Sequence, residues 1–91
     1  MIYSFRSKAV ELFWTSGQSH KLPVDNAARL RRQLLALDAA SRPEDINLPG
    51  FKFHGLNSKP KRWSVWVTGN YRLTFGWQDG NAVDVDVVDY H

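Results

Sequence analysis

Apolar and polar positions along this chain change period near its middle. From Lys8 to about Thr15, Val10, Phe13 and Trp14 recur at helical spacing and share one face, and Gly17 ends the pattern. A second helical pattern opens at Pro23, which suits a first helical turn, places Asp25 at the positive end of the helix dipole and runs to about Ala39. Its apolar stripe is Ala27, Leu30, Leu34 and Leu37, with Arg29, Arg31 and Arg32 mostly turned away from it. Ahead of both, Ile2 to Phe5 reads as a short strand. The run SRPEDINLPG, with Pro43, Pro49 and Gly50, reads as loop. Beyond it the period becomes two, and strands are predicted at Phe51 to Leu56, Trp63 to Thr68, Tyr71 to Trp77 and Ala82 to Val88.

The alternation also predicts a register for the last hairpin. A two-residue turn at Asp79 and Gly80 would set Phe75 opposite Asp84 and Leu73 opposite Asp86, mixing carboxylates into an apolar face. A three-residue loop from Asp79 to Asn81, with a bulge, pairs Leu73 with Val87, Phe75 with Val85 and Trp77 with Val83. That register is the one expected. It gathers Arg72, Thr74, Asp84 and Asp86 on the opposite face and sends Trp63, Val65 and Val67 into a core covered by the two helices. The expected class is α+β: strand, helix, helix, then three to four mainly antiparallel strands in a twisted sheet, all in one domain over residues 1–91.

Composition narrows the chemistry. The 91 residues are 43% hydrophobic and 23% charged, a globular balance that argues against a disordered chain. No apolar run approaches the ~20 residues that span a bilayer, and the N-terminus lacks a signal peptide's long apolar region, so a cytoplasmic location without membrane contact is expected. With no cysteine, disulfides, thiolate zinc sites and a cysteine nucleophile are excluded. The net charge of +3 is unevenly spread. From Ile46 to Gln78 there is no acidic residue, while Lys52, Lys59, Lys61, Arg62 and Arg72 fall inside; Asp79, Asp84, Asp86 and Asp89 follow. Such a stretch suits a polyanion, and it is equally compatible with a solvated basic loop.

Of the three histidines, His20 sits in a polar loop and reads as a surface residue, whereas His54 ends a predicted strand and His91 follows Asp89 and Tyr90. There is no metal-binding spacing, no Gly-rich phosphate loop and no GxSxG elbow, so neither metal nor cofactor is expected. RNA phosphodiester cleavage by the 2′-hydroxyl asks only for a base, an acid and positive charge at the phosphate. His54, Asp89, Tyr90 and His91 supply groups that move protons, and Arg72 and the lysines supply charge. The same residues also fit a strand end at which Tyr90 packs and Arg72 pairs with Asp84 or Asp86.

The segment WSVWVTGNYRLTF, then DG, then DVDVVDYH, preceded by LPGFKFHGL and by the helix RLRRQLLALDAA, resembles the HigB group of toxins in the RelE/ParE superfamily over essentially the whole chain. The resemblance implies a toxin of a type II toxin–antitoxin system. Such a toxin enters the ribosomal A site, cuts messenger RNA there without a metal, and is held inactive by a HigA-like antitoxin with a helix-turn-helix DNA-binding domain. The toxin alone would not read DNA sequence. Carried over, His54 matches the family histidine, Asn70 and Arg72 its NYR element, and Asp89, Tyr90 and His91 its terminal motif. Arg72 would stabilise charge on the phosphate and Asn70 would bind substrate. His54, Asp89 and His91 would transfer protons or position the 2′-hydroxyl, and Tyr90 would stack on a base. Several relatives carry a lysine three residues after the histidine; this chain has Asn57, so either Lys59 or Lys61 reaches in, the outcome expected here, or cleavage is weaker or different. Arg29, Arg31, Arg32 and Arg62 are the expected contacts to the RNA of the 70S ribosome. Two other readings within the superfamily stay open: a gyrase-directed toxin, which His54 and the terminal motif argue against, and a ribosome binder that does not cleave, which Asn57 favours.

Overall fold

A computed structural model describes residues 1–90. In chain order it contains α1 (Lys8–Ser16), α2 (Ala27–Ala39), a short 3₁₀ helix (Pro43–Ile46), β1 (His54–Leu56), β2 (Arg62–Trp66), β3 (Tyr71–Gln78) and β4 (Asn81–Asp89). The strands form an antiparallel meander in the order β1-β2-β3-β4. The α+β class expected from the change of period is therefore observed.

Local chemistry sets the helix ends. Ser7 accepts from the Val10 amide to start α1, and Gly17 closes it in the left-handed region at φ 77, its amide donating to the Phe13 carbonyl. The second helix starts later than Pro23 suggests. Asn26 is its cap, accepting from the Arg29 amide, and no acidic residue lies in its first turn, so Asp25 stays outside. A side chain able to satisfy an orphan amide has overridden the weaker preference of proline for a first turn. The loop after α2 is tied by Asp45, whose carboxylate accepts from the Ser41 and Arg42 amides and from Arg42 Nε. Those bonds, that from Ser41 foremost, hold Asp45 below the usual carboxylate pKa.

The N-terminal segment is extended but joins β4 only through two isolated parallel bridges, Ile2 to Ala82 and Phe5 to Val85. β1 is shorter than expected, starting at His54 rather than Phe51, and β2 ends at Trp66 rather than Thr68.

The last hairpin corrects the expected register. Asp79 (φ 53) and Gly80 (φ 81) make a two-residue turn flanked by the pair Gln78 and Asn81, and Trp77 faces Ala82 rather than Val83. The bulge lies in mid-strand instead of at the turn. Between the pairs Gly76–Val83 and Thr74–Asp86, β3 has only Phe75 while β4 has both Asp84 and Val85. Asp84 takes the left-handed conformation at φ 50, and its amide donates to Ser4 Oγ at 2.9 Å. The extra residue restores the expected pair Leu73–Val87, so Val85 and Leu73 are both fully buried. Both constraints weighed in the sequence, the turn chemistry of Asp-Gly and an apolar inner face, are thus satisfied at different places.

Leu30, Leu34 and Leu37 from α2 and Val10 and Phe13 from α1 pack on the inner sheet face of Val65, Val67, Leu73, Phe75, Ala82 and Val85. Trp63 stacks near Phe75 at 6.0 Å between ring centroids, and Trp77 meets Phe75 edge-on at 6.4 Å. The outer face is left uncovered by either helix. Across it, cross-strand register aligns His54, Ser64, Thr74 and Asp86 in one row and Trp66, Arg72 and Val88 in the next.

Candidate active site

The outer face holds an open groove of about 450 Å³ lined by Lys52, Phe53, His54, Leu56, Ser64, Trp66, Arg72 and Tyr90. It lies where β1 is short and beside the end of β4, where the Tyr90 amide continues the ladder by donating to the Asn70 carbonyl at 2.6 Å. Ser64 and Thr74 are small and buried, at 3% and 4% exposure, so the floor of this face is low and polar between larger neighbours.

Arg72 is the most constrained group in the groove. It is 8% exposed, and its Nη1 donates to the carbonyls of Thr68, Gly69 and Tyr71 at 3.0, 3.1 and 3.2 Å. The guanidinium carbon lies 3.7 Å from the centroid of the Trp66 ring and 5.3 Å from that of Tyr90. The cation is thus oriented by rings and backbone dipoles. Pairing with Asp84 or Asp86, the alternative left open by the sequence, does not occur. Lys52 stands near the same indole, its Nζ at 4.1 Å from the Trp66 centroid.

Trp66 is positioned from behind. Its carbonyl accepts from Gln33 Nε2 at 2.7 Å and from Arg29 Nε and Nη2 at 3.3 and 3.2 Å, and its amide donates to the Phe51 carbonyl. Arg29 also donates to the Gly50 carbonyl and lies over the Phe51 ring. Of the arginines assigned to a basic helix face, Arg29 therefore clamps α2 to the sheet, while Arg31 and Arg32 are exposed.

The structure brings His54, Arg72 and Tyr90 into one groove. Asn70 does not line the groove, its carbonyl accepting from the Tyr90 amide, and Asp89 ends β4 opposite Tyr71. His91 lies outside the described residues. Neither Lys59 nor Lys61 lines this groove: Lys61 Nζ donates to the Leu56 carbonyl at 2.9 Å, and Lys59 is exposed. Arg62 is turned toward β3 and β4, donating to Thr74 Oγ1 and the Asp84 carbonyl. Lys52, Ser64 and Trp66 were missed by sequence reasoning. The signal was present in the period-two pattern, which puts Ser64 and Trp66 on the face opposite Val65 and on the same side as Arg72.

Among the described residues no group of His, Asp and Glu side chains could hold a metal ion, and no helix is long and apolar enough to cross a membrane. Residues 3–91 match the family described as RelE-like toxin of type II toxin–antitoxin system HigB. The chain is 32% identical over 92 residues to the Endoribonuclease HigB of Proteus vulgaris, covering the full length of both, and 37% identical over 89 residues to Toxin HigB-1 of Vibrio cholerae, covering 92% of each. A two-helix layer under a four-stranded antiparallel meander, a groove holding His54, Arg72 and Tyr90, and a match across nearly every residue agree: this chain belongs to the HigB family of RelE-like toxins of type II toxin–antitoxin systems.

Proposed function

We propose that this toxin is an endoribonuclease that cuts messenger RNA in the ribosomal A site, by attack of a 2′-hydroxyl on the adjacent phosphorus. The observation that carries the reading is the Arg72 guanidinium, held by three carbonyls and stacked at 3.7 Å on Trp66, in the same groove as His54 and Tyr90. In the reaction a base takes the 2′-hydroxyl proton, the oxygen–phosphorus bond forms, and the bond to the 5′-oxygen of the next nucleotide breaks as an acid protonates it. The products are a 2′,3′-cyclic phosphate and a 5′-hydroxyl. Charge on the phosphoryl oxygens grows in the transition state, and a cation already oriented before substrate arrives stabilises it without reorganisation.

The catalytic set is His54, Arg72, Asp89, Tyr90 and His91, with the histidines and Asp89 handling protons. Tyr90 offers a ring face to an unstacked base. Asn70 binds substrate. Lys52 supplies the second positive charge that Asn57 lacks. Three side chains that move protons and two cations make a sparse active site, so holding the messenger in a cleavable geometry falls to the ribosome. The protein's net charge of +3 favours docking on ribosomal RNA by counterion release. An antitoxin of the HigA type, with a helix-turn-helix domain, is the expected inhibitor.

Toeprinting on programmed ribosomes tests this, comparing wild type, a folded His54→Ala variant and a ribosome-free control. A new 3′ end inside the A-site codon, absent without ribosomes and weakened by the substitution, is expected. Blocked translation with no new end would overturn cleavage, and inhibition of gyrase supercoiling with translation intact would redirect the reading to DNA topology.

A further inference from the structure

A second groove occupies the same outer face, at the other end of β2 and β3 from Trp66 and Arg72. It measures about 310 Å³, and Arg6, Lys61, Arg62, Gly76 and Asp84 are among its lining. Gly76 is its floor: a Cβ added there would crowd Val83 Cγ2 at 3.2 Å and meet Arg62 Nη1 in ordinary contact at 3.7 Å. Arg62 is held by Nη2, which donates to Thr74 Oγ1 at 3.0 Å and to the Asp84 carbonyl at 2.8 Å. Among the described residues no carboxylate comes within 4 Å of Arg6 or Arg62.

The two arginines therefore stand as neighbouring like charges. Burial, and next the charge of Arg6, pull the Arg62 pKa down, and Asp84 and Asp86 offset only part of this. An anion seated between the guanidinium groups would turn a repulsion into two attractions.

The position of this groove says what the anion is. Arg72 and Gly76 lie on one face of one strand, four residues and so about 13 Å apart, a gap that a few nucleotides of a single strand cover. The floor between the two grooves is Ser64 and Thr74, which larger neighbours cover, Arg62 Nη2 reaching Thr74 Oγ1, so a strand passing between the grooves runs over those neighbours. We infer that the Arg6–Arg62 groove is a second phosphate site, binding the sugar–phosphate backbone of the same single-stranded RNA whose scissile linkage lies in the His54 groove. This rests on the RNA-cutting reading above. Contacts to phosphate carry no base information, so the groove adds affinity and register without sequence preference.

The test compares binding of uncleavable 2′-O-methyl RNA as a trinucleotide and as an oligomer of about eight nucleotides, across a salt series. Wild type is expected to bind the longer RNA more tightly. Arg6→Ala keeps the backbone bond from the Arg6 amide to the Val85 carbonyl. It is expected to flatten the log K against log salt slope for the longer RNA by about 0.7, one phosphate contact on a single strand, with the trinucleotide unaffected. Asp84→Asn is expected to tighten the longer RNA. Equal weakening at both lengths, an unchanged slope, or displacement by polyglutamate as effective as by RNA would overturn the inference. Ribosome toeprinting of the same preparations reads the cleavage proposal separately: wild type that binds the longer RNA through Arg6 yet cuts no messenger would overturn that proposal and leave the groove as an RNA site.

Discussion

Trp66 links three elements through one residue. Its ring carries Arg72 and Lys52, and its carbonyl is gripped by Gln33 and Arg29 of α2. Lysine at position 72 would keep the charge but lose the planar guanidinium that lies over the Trp66 ring. Arg72→Lys is expected to lower the single-turnover cleavage rate on the order of a hundredfold, with the melting temperature little changed. Lys52 carries a different tension. It sits in the left-handed region at φ 53, where a side chain with a Cβ costs about 1 kcal/mol relative to glycine. Lys52→Gly is therefore expected to raise stability by about that amount in urea denaturation while reducing cleavage. A loss of stability would mean that Lys52 is held there by packing, and undiminished cleavage would remove it from the phosphate site.

The elements were legible where one signal dominated and displaced where two competed. Gly17 ended α1 in the sequence because nothing else near it permits a left-handed residue, and it does so at φ 77 with no atom within 4 Å of an added Cβ. Gly17→Ala should cost about 1 kcal/mol by thermal or denaturant unfolding, purely from the backbone. At the start of α2, Pro23 and Asp25 advertised a helix that Asn26 actually begins; Asn26→Ala should cost about 1 kcal/mol. The last hairpin shows the same competition. Asp-Gly chemistry asks for a two-residue turn and the apolar face asks for one more residue, and the bulge at Asp84 grants both. No local pattern marks that bulge. Its amide is satisfied by Ser4 Oγ, eighty positions away in the chain, so its placement depends on a contact that only the folded state contains.

Over the whole molecule, the helices cover one face of the sheet and leave the other, with its two grooves, uncovered. The arginines divide accordingly: Arg29 holds α2 to the loop and sheet, Arg62 and Arg72 are embedded in the outer face, and Arg31 and Arg32 stay exposed on the helix side. Reversing Arg31 and Arg32 to glutamate is expected to weaken co-sedimentation with ribosomes, with the far-ultraviolet circular dichroism unchanged. Unaltered co-sedimentation would leave the sheet face as the sole RNA contact. The order of elements and the core of leucines and valines follow from periodicity, which neighbouring residues record, whereas the family and the grouping of His54, Arg72 and Tyr90 come from the resemblance of short motifs to the HigB group. Lys52 as the groove's lysine in place of Lys59 or Lys61, the clamp of Arg29 and Gln33 on Trp66, and the Arg6–Arg62 groove depend on which distant residues come to lie side by side. Such contacts are set by sheet register and by the angle at which α2 packs, and no stretch of chain encodes either by itself.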